Sequence, residues 1–379
     1  MSRPSRRAAP LLLCLGLLSG AASAATPAGS QAPHYACPPC GSACDAKVFD
    51  KPGVCPHCGM KLVAQDDVKK AAQMRKKVAI LIFNGVQIID YTGPYEVFGA
   101  ADFDVYTVAE TKEPVTTVMG MTVVPKHSFA DAPQADVVVV PGGRVGDAQR
   151  SGATLKWVTD QSARARQTLS VCNGAFILAS AGLLEGLTAT TTAGNLQSMQ
   201  AAFPGIKVVD DQRFVDNGKV VTAAGLSAGI DGALHVVAKL GGLGLAQQVA
   251  LGEEYEWRPR TPFVRAALAD RLIPTVDVAA LGAWDVTRTE GGTDRWELEL
   301  EGTTRLSAQQ VMEHVSKELE AGGRWTRVKP TDAGTASPLS NHWTFSGRDG
   351  RPWTGVLTLQ PVRGTTGRYT AKLAIARAG

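Results

Sequence analysis

Thr168-Leu169-Ser170-Val171-Cys172-Asn173-Gly174-Ala175-Phe176-Ile177-Leu178-Ala179-Ser180-Ala181-Gly182-Leu183-Leu184 runs from a short apolar segment into an apolar helix through one cysteine with small neighbours. Ser170-x-Cys172-x-Gly174 has the form of a nucleophile elbow, in which small flanking residues permit a sharp strand-to-helix turn that presents the central side chain. At the start of a helix the backbone N–H groups and the dipole favour thiolate over thiol. Cys172 is therefore expected to ionise below the usual value of about 8.5 and to act as a nucleophile. A buried structural cysteine is the alternative, and it accounts for the residue but not for the turn built around it.

Working outward, Val78 to Phe83 is a continuous apolar run, and Phe103 to Val108 and Asp136 to Val140 are similar, mainly apolar segments, with amphipathic stretches between them. Unbroken apolar runs suit strands buried on both faces, and their alternation with helices predicts a parallel α/β sheet over residues 78–256. Ligands on such sheets gather beyond the carboxyl ends of the strands. The residues that matter are then Asp90 in the loop after the first strand, Pro141-Gly142-Gly143 after the third, and Cys172 after the fourth. Asn217-Gly218 between Val215 and Val220 is the preferred type I′ hairpin pair.

Toward the N-terminus, Cys37-Pro-Pro-Cys40 and Cys55-Pro-His-Cys58 are two C-x2-C turns inside residues 31–63. That spacing is close to a zinc ribbon's, in which each turn presents two sulfurs to one tetrahedral ion. A segment this short cannot bury enough apolar surface to fold alone, so either a metal or disulfides must stabilise it. Cys44 makes the number of cysteines odd, which argues against disulfides and leaves it over from a set of Cys37, Cys40, Cys55 and Cys58. His34, His57 and Met60 are further candidate ligands. Residues 64–77 are charged and free of Gly and Pro over Asp66 to Lys77, and predict a helical linker.

Arg3, Arg6 and Arg7 precede an apolar run from Ala8 to Leu18, and Ala22-Ser23-Ala24 supplies the small-x-small pattern of a cleavage site. Residues 1–24 therefore read as a signal peptide, and the mature protein is expected to be exported, periplasmic or secreted, with no membrane span. The whole chain has 379 residues, with 39 Lys+Arg against 35 Asp+Glu. Without the three leader arginines the balance is 36 against 35, so the body has no electrostatic reason to seek nucleic acid. Hydrophobic residues at 44% and charged residues at 20% fit a folded globular chain of two or three domains.

Residues 277–379 change pattern. A hairpin-like pair (Ala283 to Arg288, Arg295 to Leu300) precedes Ser307-Ala-Gln-Gln310, a capping box, and a helical stripe of Val311, Val315 and Leu319 that Gly322-Gly323 ends. Alternating segments through Trp343, Trp353 and Tyr369 supply more strands, and together they predict a small α+β domain. Its five tryptophans suit either a stacking surface for a ligand or a small aromatic core.

Phe83-Asn-Gly85-Val-Gln-Ile-Ile-Asp90-Tyr-Thr-Gly93-Pro94-Tyr-Glu96-Val-Phe98, Val140-Pro-Gly-Gly143, Val171-Cys172-Asn-Gly-Ala-Phe and Ala224-Gly-Leu-Ser-Ala-Gly-Ile-Asp231 resemble the ThiJ/PfpI superfamily, and within it the isonitrile hydratase branch. The resemblance implies a flavodoxin-like, class I glutamine amidotransferase-like sandwich, often a homodimer, acting on a small-molecule substrate. It implies Cys172 as nucleophile, Asp90 as the acidic residue that hydrogen-bonds it, and Gly143 with the N–H of Asn173 as the oxyanion-binding backbone pair. Many members read Ala-Thr-Thr-His where this chain has Ala189-Thr190-Thr191-Thr192, so the partner histidine is replaced by Thr192, and a Cys–Asp mechanism fits better than histidine-based hydrolysis. Tyr35-x-Cys37-Pro38 followed by Pro52-Gly53-x-Cys55-Pro56-x-Cys58-Gly59-Met60-x-Leu62 resembles the small heavy-metal-binding domain found beside metal-efflux proteins. There the first pair is usually Cys-Pro-Met-His. Pro39 and Cys40 in its place imply a four-thiolate Zn site, structural or regulatory, with no cofactor for catalysis. Three functions are then in view: an exported cysteine-dependent hydratase, a metal-binding or metal-sensing protein on a silent scaffold, and a relative of AraC-type regulators. Export and the lack of a C-terminal helix-turn-helix pattern count against the last.

Overall fold

The computed structural model describes residues 34–38, 43–261, 263–328 and 338–379. The expected leader and Cys40 lie outside these residues. The chain divides into two compact units, Met1–Met74 and Arg75–Gly379. No described helix is long and apolar enough to cross a membrane.

In the first unit, Tyr35–Ala36 is the middle of a three-stranded antiparallel sheet between Val48–Phe49 and Val63–Ala64. Among the described residues its buried core is Cys37, Cys44, Cys55 and Leu62, with Ala36 beside them. The expected linker helix spans Gln65–Met74.

The second unit begins with strand β1 (Lys77–Leu81), helix α1 (Ile88–Ala100), β2 (Asp104–Ala109), β3 (His127–Ser128) and β4 (Val137–Val140). It continues through α2 (Gly152–Arg164), β5 (Gln167–Val171), α3 (Gly174–Ser180), β6 (Phe214–Asp216), β7 (Val220–Ala223), α4 (Ala228–Gly241) and α5 (Leu243–Gly252). The sheet order is β6-β7-β5-β4-β1-β2-β3, parallel throughout except for the hairpin strand β6. Within it β2-β1-β4-β5-β7 is the flavodoxin-like order, and the strand sequence reverses between β1 and β4. Side-chain alternation sends Val78, Ile80, Val137, Val139 and Leu169 to one layer with Phe98 and Leu234. Ala79, Leu81, Val138 and Val140 go to the other, with Trp157, Ile177 and Leu178. That is why these strands read as unbroken apolar runs.

The C-terminal part contains β8 (Ala283–Gly291), β9 (Arg295–Thr303), α6 (Ala308–Glu320), β10 (Thr326–Val328), β11 (Leu339–Ser346), β12 (Pro352–Pro361) and β13 (Arg368–Arg377). The six strands form one antiparallel sheet in the order β8-β9-β13-β12-β11-β10. Ser307 and Gln310 form the capping box, and α6 buries Val311, Met312 and Leu319 against the sheet. Trp325 stacks on Phe345 at 4.2 Å, and both are buried with Trp343 and Trp353. Most of the aromatic set is therefore core, which settles against a broad stacking surface.

Candidate functional site

The loops that follow β1 and β4 are zipped together at the point where the strand order reverses. Gln87 N–H donates to the Gly142 carbonyl at 2.9 Å, Arg144 N–H to that of Gly85 at 2.8 Å, and Val86 bridges Gly143. Glycine is required at the crossing with β5. A Cβ on Gly142 would stand 2.8 Å from Cys172 Cβ, and Gly143 adopts a φ of 127°. Asp90 does not lie in a loop, as the sequence suggested, but in the first turn of α1, fully buried. Its Oδ2 accepts from Gly142 N–H at 3.1 Å, and its Oδ1 is buried with no N–H or O–H donor among the described residues.

Cys172 sits at the elbow with a φ of 60°, a left-handed conformation that costs a non-glycine residue on the order of 1–3 kcal/mol unless its surroundings enforce it. They do: its N–H donates to the Ala224 carbonyl at 2.7 Å, and its own carbonyl accepts from Thr191 Oγ1 at 2.9 Å. The Asp90 carboxyl is the acidic neighbour of its thiol. Leu226, itself at a φ of 54°, was missed by sequence reasoning. Its one signal is the small-residue stretch Ala224-Gly225-Leu226-Ser227 between β7 and α4.

Electrostatics differ from the expectation of a thiol activated by a helix start. Burial is the largest influence on both members of the pair. It raises Asp90 to about 6, although the Cys172 thiol and the N–H groups of Gly142 and Leu226 pull it down. It raises Cys172 to about 12, with the Asp90 charge adding to the effect and the Asn173 and Leu226 N–H groups opposing it. Desolvation outweighs a helix start of seven residues. At neutral pH the two groups hold one proton between them, and moving it from sulfur to carboxylate makes the nucleophile without exchange with solvent.

Of the expected anion-binding pair, Gly143 has an internal partner. Gly143 N–H already donates to Asn173 Oδ1 at 2.8 Å, and Asn173 Nδ2 donates back to the Gly143 carbonyl at 2.9 Å.

A pocket of about 530 Å³ is walled in part by Thr191, Thr192 and Leu226; Thr191, which binds the Cys172 carbonyl, connects it to the elbow, while Cys172 and Asp90 do not themselves line it. Each arginine of the wall has a carboxylate partner: Arg213 pairs with buried Asp231 at 2.9 Å, Arg271 with Asp210 at 2.9 Å, and Arg265 with Asp270, which lies outside the lining, at 2.8 Å. Tyr255 Oη also donates to Asp231. What remains is a neutral surface of threonines, Ser227, Leu196 and Phe263. His127 packs edge-on against Tyr106, and His235 pairs with Asp216, so neither serves Cys172.

In the first unit, the sulfurs of Cys37, Cys44, Cys55 and Cys58 all lie within 4.8 Å of one another, and these cysteines form no disulfide. Tetrahedral Zn–S bonds of about 2.3 Å place sulfurs about 3.8 Å apart, so the cluster is the right size for one soft ion. Cys44, left over in the sequence reading, belongs to the described cluster. The Cys55–Cys58 knuckle closes through Gly59 N–H on the Cys55 carbonyl at 2.9 Å and Cys55 N–H on the Met60 carbonyl at 2.7 Å. The Met60 N–H is the main cause that lowers Cys58 to about 7. His34 faces Asp50, so it does not join the sulfurs.

The DJ-1/PfpI family model matches residues 76–239, and the heavy metal binding domain model matches residues 34–65. An isonitrile hydratase from Pseudomonas putida is 38% identical over 192 residues, half of this chain and 82% of that protein. The chain belongs to the DJ-1/PfpI family. A second relative, the Parkinson disease protein 7 homolog of Danio rerio, is 29% identical over 46% of this chain and 94% of its own length. Among solved structures, a ThiJ/PfpI family protein from Pseudomonas syringae is 34% identical, covers 49% of this chain and 78% of its own, and has a TM-score of 0.45. The matched DJ-1/PfpI segment contains Asp90, Gly143, Cys172 and Asn173.

Proposed function

We propose that this protein is an exported, cysteine-dependent hydratase of small neutral electrophiles, with organic isonitriles as the first substrate class. The observation that carries the reading is the buried Cys172–Asp90 pair at the elbow, sharing one proton beside a charge-compensated pocket. Asp90 takes the thiol proton as the sulfur bonds to the terminal isonitrile carbon, then delivers that proton to the same carbon, giving a thioimidate. Water adds to this carbon, the nitrogen gains a proton, and collapse expels the sulfur, which recovers its proton. The product is an N-substituted formamide, and the sum is addition of one water. No step needs a histidine, in keeping with Thr192.

Export rests on the leader pattern of residues 1–24, and places the mature protein in the periplasm or outside the cell. In the ribbon, Cys37, Cys44, Cys55 and Cys58 would hold Zn, which supplies the folding energy that so small a core lacks. The test is to incubate protein with an alkyl isonitrile and follow formamide, comparing wild type with Cys172→Ser and Asp90→Asn. Loss in both variants supports the assignment, and undiminished turnover in Cys172→Ser rejects it.

A second reading, a metal-binding protein on a catalytically silent scaffold, is favoured by the raised pKa of the Cys172 thiol. It predicts metal binding with no turnover in any form.

A further inference from the structure

The pocket that Thr191 connects to the elbow is not completed by the DJ-1/PfpI segment alone. The matched segment ends at residue 239, and Phe263, Arg265 and Arg271, which also line the pocket, come from chain beyond it. This outer wall is a strap with one helical turn at Val264–Ala267 and another at Ala269–Leu272. Two contacts fix it. Phe263 lies over the guanidinium of Arg213, its ring centre 5.6 Å from Cζ. Arg271, with a side chain only 8% exposed, donates from Nη1 to the Asp210 carbonyl and from Nη2 to the Asp210 carboxylate, both at 2.9 Å. That carboxylate is also paired with Arg348, in the turn between β11 and β12 of the C-terminal sheet. Asp210 therefore fastens the strap and the C-terminal sheet at one point.

The chemistry of the wall favours one kind of ligand group. Because each of its arginines already has a carboxylate partner, an ionic ligand would have to displace an ion pair. An arginine paired at its edge still offers a planar face, on which aromatic rings stack. Phe263 is half-buried, and Leu196 and Thr192 stand on the same pocket, so the surface suits a flat apolar group. A cavity of about 150 Å³ is enough for a benzene ring, and this pocket has about 530 Å³.

We infer that Phe263 is a specificity-determining residue that selects substrates whose organic substituent is aromatic, and that the C-terminal sheet positions it through Arg348 and Asp210. The inference deepens the proposed hydration and rests on it for the reacting group. It also gives the C-terminal domain a task, since the sheet holds one wall of a pocket that the family segment leaves incomplete.

The experiment titrates the full-length protein with N-benzylformamide and N-(cyclohexylmethyl)formamide, reading the heat of binding. Both are products of the proposed reaction, similar in size, and bind without turnover. The benzyl compound is expected to bind about fivefold more tightly, the size of a typical aromatic pair. Phe263→Ala should bring the two affinities together and Phe263→Tyr should keep them apart, with Phe263→Leu as the second variant if alanine unfolds the strap. Arg348→Ala, which changes a side chain outside the pocket wall, should lower the preference at least twofold, and Arg348→Lys should restore it. Equal binding in wild type, or no binding of either compound, overturns the aromatic selection. A preference unchanged in Phe263→Ala and Phe263→Leu overturns the role of Phe263, and one unchanged in Arg348→Ala overturns that of the C-terminal sheet. Isonitrile hydration assayed alongside separates this inference from the reaction. A benzyl preference in protein that hydrates no isonitrile rejects the reaction and leaves the selective wall standing, whereas hydration without that preference does the reverse.

Discussion

Gly143 and Asn173 exchange two hydrogen bonds in opposite senses, the Gly143 N–H to the side-chain oxygen and the side-chain nitrogen to the Gly143 carbonyl. This pair fastens the loop after β4 to the residue that follows Cys172, and so holds the elbow to the reversal point of the sheet. Asn173→Ala leaves both Gly143 groups without these partners and is expected to cost about 1–3 kcal/mol in urea denaturation. Stability equal to wild type would show that water replaces the side chain without loss.

The shared proton sets the expected pH profile. With Asp90 at about 6 and Cys172 at about 12, kcat/KM for isonitrile hydration rises as Asp90 ionises and then stays level. A rate that climbs instead through about pH 8–9, where an ordinary thiol ionises, would mean that Asp90 does not take the proton.

Asp90 also affects stability, with a defined sign. Its folded pKa lies above the unfolded value of about 3.9, so the folded state keeps a proton that the unfolded chain releases. Stability is therefore full below about pH 4 and falls as pH rises through about 6, by about 2–3 kcal/mol. Asp90→Asn carries no such charge. Denaturation curves should show the variant gaining on wild type at neutral pH and losing that advantage near pH 4, and a pH-independent difference would refute the buried-carboxylate account.

The same substitution separates reactivity from catalysis. The Asp90 charge helps to hold the Cys172 thiol protonated, so Asp90→Asn should speed iodoacetamide labelling of Cys172 severalfold while abolishing hydration. Slower labelling in the variant would show that the carboxylate activates the thiol toward every electrophile, not only toward substrate.

For the ribbon, native mass spectrometry of the purified protein should find one metal ion per chain, lost equally in Cys44→Ser and Cys58→Ser. Retention of the ion in Cys44→Ser would remove Cys44 from the ligand set.

Much of this was legible in the chain. Val137 to Val140 are buried along their whole length and read as the unbroken apolar run of a strand covered on both faces, while Gln167 to Val171 are equally buried although Gln167, Thr168 and Ser170 are polar. Cys172 was visible because its turn needs small neighbours at fixed offsets, and the Ser307–Gln310 box because capping is local. What escaped depends on contacts distant in sequence. The raised pKa of Cys172 comes from burial and from a carboxylate 82 positions earlier, and the engagement of Gly143 comes from a side chain 30 positions later. Cys44 falls outside any C-x2-C turn, and a short helical turn, Ala43–Ala46, carries its sulfur to the other three.

The left-handed backbone of Cys172 sets two costs against each other. Glycine adopts that conformation freely, so Cys172→Gly would relieve the strain and retain the turn, but it would also empty a buried position of the larger core. The elbow therefore keeps its shape through the hydrogen bonds and packing around it, against the preference of the residue at its centre.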